Sequence, residues 1–327
     1  MKNNKKLNFD IKNLTRRFGN ISLLITVGLF ILLFVAGIFI YRFNAATFFD
    51  LLNTNAYLIV VAIGETFVLL IGCIDISVGS TVAFTCMLSA FMLRAGISPA
   101  AVIPTVLLLG IGLGWLMGFL IQNYNLQPFI VTLAGMFFLR GMCAVIGTEA
   151  INVTNDFYKF MTLGKFFGVY YYEIIALLVI AAAFFILRFT KFGRSVYAVG
   201  GNAQSALLMG LPVNRIKITV YAISGFCAAL GGVIYSFYKL GGDALQNIGM
   251  ELDAISSAVI GGTLLTGGVG SVIGTTFGVL IQGIIKTIVT YQNLNSWWTK
   301  LVNAALLCMF IVIQRIISAR TEKAKHK

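Results

Sequence analysis

The sequence predicts an all-α membrane protein, a polytopic bundle of about ten transmembrane helices, and three observations carry that prediction. The chain is 59% hydrophobic and only 11% charged, where a soluble domain carries roughly 25% charged residues. Its mean hydropathy is +0.93, and the apolar residues come in long runs rather than amphipathic stripes. A run of about 18 or more apolar residues is long enough to cross the hydrocarbon core as a helix. Lipid gives the backbone no hydrogen-bond partner, so each run must satisfy itself as a helix. The alternating ten-residue segments of a membrane β-barrel are absent. A soluble fold is excluded.

The elements follow in chain order. Residues 1–20 form a basic arm with Lys2, Lys5, Lys6, Lys12, Arg16 and Arg17. The apolar run from Ile21 to Tyr41 exceeds the roughly 7–15-residue core of a signal peptide, and no small-residue cleavage site follows it. It is read as an uncleaved first span. Further spans are expected near 50–72, 77–94, 101–123, 128–147, 172–189, 216–239, 252–266, 269–290 and 297–316, the eighth of them short and glycine-rich. The transmembrane domain therefore covers 21–316, and a basic tail, 317–327, closes the chain.

Charge fixes the orientation. Most of the 24 basic residues collect in the arm, around the loop after the sixth span (Arg188, Lys191, Arg194, Arg215, Lys217) and in or beside the tail (Arg315, Arg320, Lys323, Lys325, Lys327). Positive segments stay cytoplasmic, and six spans before the loop with four after it put all three on that side. The net charge of +13 is thus a topology signal with an attraction to anionic lipid, and a nucleic-acid role is not expected.

Glycines recur every four residues at Gly110, Gly114 and Gly118, and again at Gly270, Gly274 and Gly278. That spacing lines small surfaces along one helix face and lets backbones approach. Val78-Gly79-Ser80 at the third span echoes Val269-Gly270-Ser271 at the ninth, as an internal repeat would.

Ionisable groups at membrane depth are costly and therefore candidates for function. Glu65, Asp75, Arg140 and Lys286 qualify, with Glu251 and Asp253 at the start of the eighth span. Each has a structural alternative. Asp75, just ahead of Ser77, is placed to cap the third helix; Glu251 and Asp253 to complement a helix N-terminus; Lys286 to snorkel toward an interface; Glu65 and Arg140 to neutralise each other. The five cysteines lie in apolar runs without ligand spacing, and the single histidine is His326 in the tail, so neither metal nor cofactor is expected.

Loop 190–215 is the most informative stretch outside the membrane. Asn202 suits an N-cap, Ala203 to Met209 suit a two-turn helix, and Gly210 then Pro212 stop it. Such a short helix is marginal in water, and one exposing Ala206, Leu207 and Met209 to the cytoplasm has the form of a knob for a partner's groove. No phosphate-binding GxxxxGK[ST] loop occurs in the chain, nor HExxH or GxSxG. Any ATP hydrolysis would belong to another polypeptide.

These residues carry a family resemblance. Gly72-Cys73-Ile74-Asp75-Ile76-Ser77-Val78-Gly79-Ser80 resembles the GGIDLSVGS segment of bacterial sugar ABC-importer permeases of the ribose, xylose, arabinose and galactose type. VYAVGGNAQSALLMGL, 196–211, is similar to that family's cytoplasmic coupling loop, and ELDAISSAVIGGTLLTGGVGSVIGT, 251–275, to its C-terminal signature. TLAGMFFLRG at 132–141 and SWWTK at 296–300 are most similar to a permease of galactofuranose importers. Cys73 and Ile71 depart from the pattern, where glycine and serine are usual.

The resemblance implies a multi-pass subunit of the bacterial inner membrane with the ABC importer permease fold. It implies a second permease subunit, separate ATP-binding subunits and an extracytoplasmic sugar-binding protein as partners. Coupling to the ATPase would then fall to Gly193, Gly200, Gly201, Asn202, Ala203, Ala206, Met209 and Gly210, and a translocation path to some of Glu65, Asp75, Ser77, Arg140, Glu251 and Asp253. Two other classes stay open on the residues alone: an ion-coupled secondary transporter using Glu65 and Asp75, and a membrane scaffold or receptor.

Overall fold

The structure, a computed structural model, describes residues 21–325 apart from 246 and 296. The basic arm 1–20, His326, Lys327 and the side chains of 313–325 lie outside the described residues, so the charge argument at both termini rests on sequence. Thirteen helices are described. They are α1 (Ile21–Tyr41), α2 (Ala45–Leu70), α3 (Val78–Arg94), α4 (Pro99–Asn123), α5 (Pro128–Ile146), α6 (Asp156–Leu163) and α7 (Tyr171–Phe189). There follow α8 (Lys191–Gly201), α9 (Ala203–Leu208), α10 (Val213–Lys239), α11 (Met250–Ile260), α12 (Val272–Tyr291) and α13 (Trp297–Lys325).

Seven of these, α1, α2, α4, α5, α7, α10 and α12, are long and apolar enough to cross a membrane, and α3 and the apolar part of α13 are shorter. Helix α2 starts five residues before its expected position because Asn44 and Thr47 form a reciprocal cap. Asn44 Oδ1 accepts from the Thr47 N–H at 3.0 Å and Thr47 Oγ1 from the Asn44 N–H at 3.2 Å.

The expected span 252–266 is corrected. Helix α11 has 11 residues, about 16 Å at 1.5 Å per residue, roughly half the hydrocarbon core. It stops at Gly261, and Gly262, Gly267 and Gly268 take φ of +93°, +86° and +76°, a left-handed backbone that glycine adopts without penalty. Helix α3 is short for a related reason. The chain turns back after Leu70, and the Asp75 N–H reaches Glu65 Oε1 at 3.2 Å, so α3 begins level with the interior of α2 rather than at its end.

Helix α10 is the centre of the bundle, packed on α4, α2 and α3. Contact with α4 is backbone to backbone: a Cβ on Gly114 would lie 2.2 Å from the Tyr221 carbonyl, and one on Gly110 2.6 Å from that of Gly225. Gly118 approaches Ile218 in the same way. Gly274 and Gly278 bring α12 equally close to Gly261 and Ser257 of α11, while Gly270 lies against Thr263 outside any helix. The two echoed triplets sit differently, since Gly79 and Ser80 are in the first turn of α3 whereas Ser271 caps α12.

The spanning helix α7 separates two ends of the molecule. At one lie α8 and α9. At the other lie α6 and two small antiparallel pairs: β1 (Ile151–Asn152) with β4 (Gly241–Gly242), and β2 (Lys165–Phe166) with β3 (Val169–Tyr170).

Candidate functional site

Helices α8 and α9 make a platform folded under the bundle. Thr190 caps α8, its Oγ1 accepting from the Gly193 N–H at 3.1 Å. Gly193 is required there, because a Cβ would fall 2.4 Å from the Ile186 carbonyl. Asn202 caps α9 by accepting from the Ser205 N–H at 2.8 Å, and Gly210 ends it with φ of +81°. The outward side is a ridge of exposed Leu207, Leu208 and Met209, at 62%, 85% and 70%, with Asn202 and Gly210 also exposed and Ala203 half-buried.

Ala206 is a correction. It is fully buried in the core cluster with Val196, Val199 and Val213, because a six-residue helix laid on the bundle must give one side to it. The exposed apolar residues of this segment are those that follow Ala206.

The platform touches both breaks in the spanning helices through backbone. A Cβ on Gly200 would fall 1.7 Å from the Leu70 carbonyl and 2.6 Å from the Gly268 nitrogen. The Gly268 N–H in turn donates to the Leu70 carbonyl at 2.9 Å. Gly267 lies against Gly72 and the Gly200 carbonyl, and Gly268 against Gly201. The Tyr197 hydroxyl of α8 donates to the Gly270 carbonyl at 2.9 Å, and burial pushes that phenol's pKa up against a smaller opposing pull from Arg188, so it keeps its proton. Three chain segments, 70–72, 200–201 and 267–270, thus meet, with Gly200, Gly267 and Gly268 in backbone contact and the Leu70 side chain against Gly270.

The ionisable candidates do not gather in one place. Glu65 and Asp75 are 0% and 2% exposed. Asp75 Oδ1 accepts from the N–H and hydroxyl of Ser77, at 3.0 and 2.5 Å, and Oδ2 from the Ser224 hydroxyl of α10 at 2.9 Å. Asp75 therefore steadies the start of α3 and ties it to α10. Glu65 and Arg140 do not pair: Glu65 Oε2 has no partner, while Arg140 donates to the carbonyls of Asn247 at 2.8 Å and Ala244 at 3.4 Å. Glu251 and Asp253 occupy the first turn of α11, where negative charge suits the helix dipole. Gly79 leaves room for the buried Glu251 carboxylate, since a Cβ would lie 2.3 Å from Oε2.

A cavity of about 450 Å³ opens between α2, α10 and α12 at the end away from α8 and α9. Its walls include Tyr57, Tyr235, Tyr238, Asn55, Asn247 and Lys286. Of these the sequence singles out only Lys286. The signal it carried for the rest was tyrosine and asparagine inside otherwise apolar spans, with Tyr235 and Tyr238 three apart on one helix face.

The family described as "Branched-chain amino acid transport system / permease component" matches residues 47–312. The chain is 43% identical to "Inner membrane ABC transporter permease protein YjfF" of Escherichia coli strain K12, over 90% of this chain and 92% of that protein. It is 36% identical to "Fructose import permease protein FruG" of Bifidobacterium longum, over 81% of each. It is 35% identical to "Ribose import permease protein RbsC" of Haemophilus influenzae, over 80% of this chain and 82% of that protein. No solved structure matches.

Proposed function

We infer the function from one premise: the chain belongs to the family of the branched-chain amino acid transport system permease component. It is a multi-pass permease subunit of an ABC importer of the bacterial inner membrane, and its relatives are named for fructose and ribose import. The solute carried is a monosaccharide, a pentose or a hexose, with galactofuranose a candidate. ATP hydrolysis lies in separate subunits, a solute-binding protein delivers the cargo, and a second permease subunit completes the path, either a second copy of this chain or, in an importer of the galactofuranose type, a non-identical one. The α8–α9 end is cytoplasmic.

The observation that supports coupling is the exposed Leu207-Leu208-Met209 ridge, backed by a junction that reaches both helix breaks. A partner's groove over this ridge would be displaced when the ATPases close, and the junction would carry the displacement into the bundle as a rigid-body movement. The secondary-transport alternative is less well served, because Glu65 and Asp75 are shut off from solvent.

The test is uptake of radiolabelled sugar into proteoliposomes holding all subunits. Uptake should require ATP inside and should not follow a pH gradient. Leu208→Glu should leave the chain folded and cut copurification of the ATPase about ten- to a hundredfold, the size of a lost interface anchor. Uptake driven by a pH gradient without ATP would overturn the reading.

A further inference from the structure

We propose that the cavity between α2, α10 and α12 receives the transported solute as a single neutral, polyhydroxylated ring, a monosaccharide. The proposal rests on the permease reading above and gives it a place and a chemistry. At about 450 Å³ the cavity lies within the roughly 300–1,000 Å³ of small-molecule sites, enough for one sugar ring and some of its water.

One wall is aromatic. The Tyr57 and Tyr235 ring centroids are 4.7 Å apart at 68°, and those of Tyr57 and Tyr238 are 6.4 Å apart at 27°. The electron-rich face of such a ring attracts weakly positive edges, and the C–H side of a sugar offers those. The rest of the wall supplies hydroxyl partners. Thr54, Thr287 and Thr290 line the cavity and give their protons to the carbonyls of Asp50, Gly283 and Lys286. Thr54 Oγ1 accepts from the Asn55 amide at 3.1 Å, which leaves the Thr287 and Thr290 oxygens as acceptors for sugar hydroxyls. Lys239 and Lys286 supply donors, and Lys239 Nζ lies 5.2 Å from the centre of the Tyr238 ring.

No Asp or Glu is among the described lining residues. Carboxylates make the strongest hydrogen bonds to a polar ligand, so a lining of hydroxyl, amide and lysine groups suits a site that holds its cargo weakly and lets it go.

The test uses the complete reconstituted transporter with D-ribose, D-fructose, L-arabinose and D-galactose as probes and L-leucine as the comparison. One of the sugars should be taken up and leucine should not. Thr287→Trp, which fills the cavity, should cut uptake at least about tenfold while the ATPase still copurifies. Tyr238→Ala should raise the half-saturating sugar concentration about three- to tenfold, with Tyr238→Phe recovering most of it. If the wild type takes up a sugar and both Thr287→Trp and Tyr238→Ala take it up equally well, the cavity assignment is overturned and the permease reading stands. Leucine uptake by the wild type overturns the solute class. If no probe enters at all, the permease reading fails and takes the cavity with it.

Discussion

The two ends of the molecule are built in opposite ways. Where 70–72, 200–201 and 267–270 meet, the contacts of Gly200, Gly267 and Gly268 are backbone on backbone, and a methyl added at Gly200 would overlap the Leu70 carbonyl. Where α2, α10 and α12 diverge, the walls are tyrosine, threonine and lysine side chains around about 450 Å³ of space. A junction without slack passes a displacement on, because packed backbones have few alternative arrangements and cannot absorb it. A wide, side-chain-lined cavity can change its contents while its walls adjust by rotamer. One end is suited to transmit movement and the other to hold and release a solute.

The strongest way to break this contrast is Gly200→Val. Its Cβ would stand 1.7 Å from the Leu70 carbonyl, so the platform must leave the bundle. ATP-driven uptake should fall below detection, about a hundredfold or more, since overpacking against backbone costs at least about 1–3 kcal/mol and breaks the path of movement as well. ATP hydrolysis should persist but lose its stimulation by the solute-binding protein. Uptake near the wild-type level would mean that movement does not pass through this junction.

Arg140→Gln tests the cavity end and should have a smaller effect. The Arg140 guanidinium holds the carbonyls of Ala244 and Asn247, and Asn247 stands in the cavity wall with φ of +61°. Charge-assisted hydrogen bonds of this kind contribute about 1.5–3 kcal/mol each. Their loss should loosen segment 243–249, raise the half-saturating concentration several-fold and leave coupling intact. Faster amide exchange confined to 244–250 is the direct readout. Exchange unchanged there would show that Arg140 does not hold the wall.

Much of the fold was legible in the sequence, for a physical reason in each case. The first span matches Ile21–Tyr41, and the seventh, expected at 216–239, is Val213–Lys239, because apolar length alone decides them. Helix α9 lies between its cap at Asn202 and its stop at Gly210 because those residue types have few other uses. Hydropathy places a span at 252–266 because it averages over composition and is blind to the left-handed glycines that follow α11. The sequence does not show that Ala206 is buried, because the direction a short helix faces depends on what lies beneath it. The tyrosine wall was hidden because Tyr57 and Tyr235 are brought together only when α2 packs on α10.

The smallest expected effect sharpens the contrast most cleanly, since it separates glycine as a spacer from glycine as mere composition. Gly112 and Gly114 are two residues apart on α4. A Cβ on Gly114 would meet the Tyr221 carbonyl at 2.2 Å, whereas one on Gly112 would meet nothing within 4 Å. Gly112→Ala therefore adds a methyl to an exposed helix face and reduces the backbone freedom of the unfolded chain, a gain of up to about 1 kcal/mol in a soluble helix and less where lipid already enforces the helix. Its melting temperature in detergent should be unchanged or slightly raised, and uptake should stay within about twofold of wild type. Gly114→Ala should lower the melting temperature and reduce uptake, because α4 must draw away from α10, which forms one wall of the cavity and leads back to the platform. If the two alanines behaved alike, backbone proximity between α4 and α10 would not be what the glycines provide. The distinction between a closely packed junction and a tolerant cavity would then lose its physical basis.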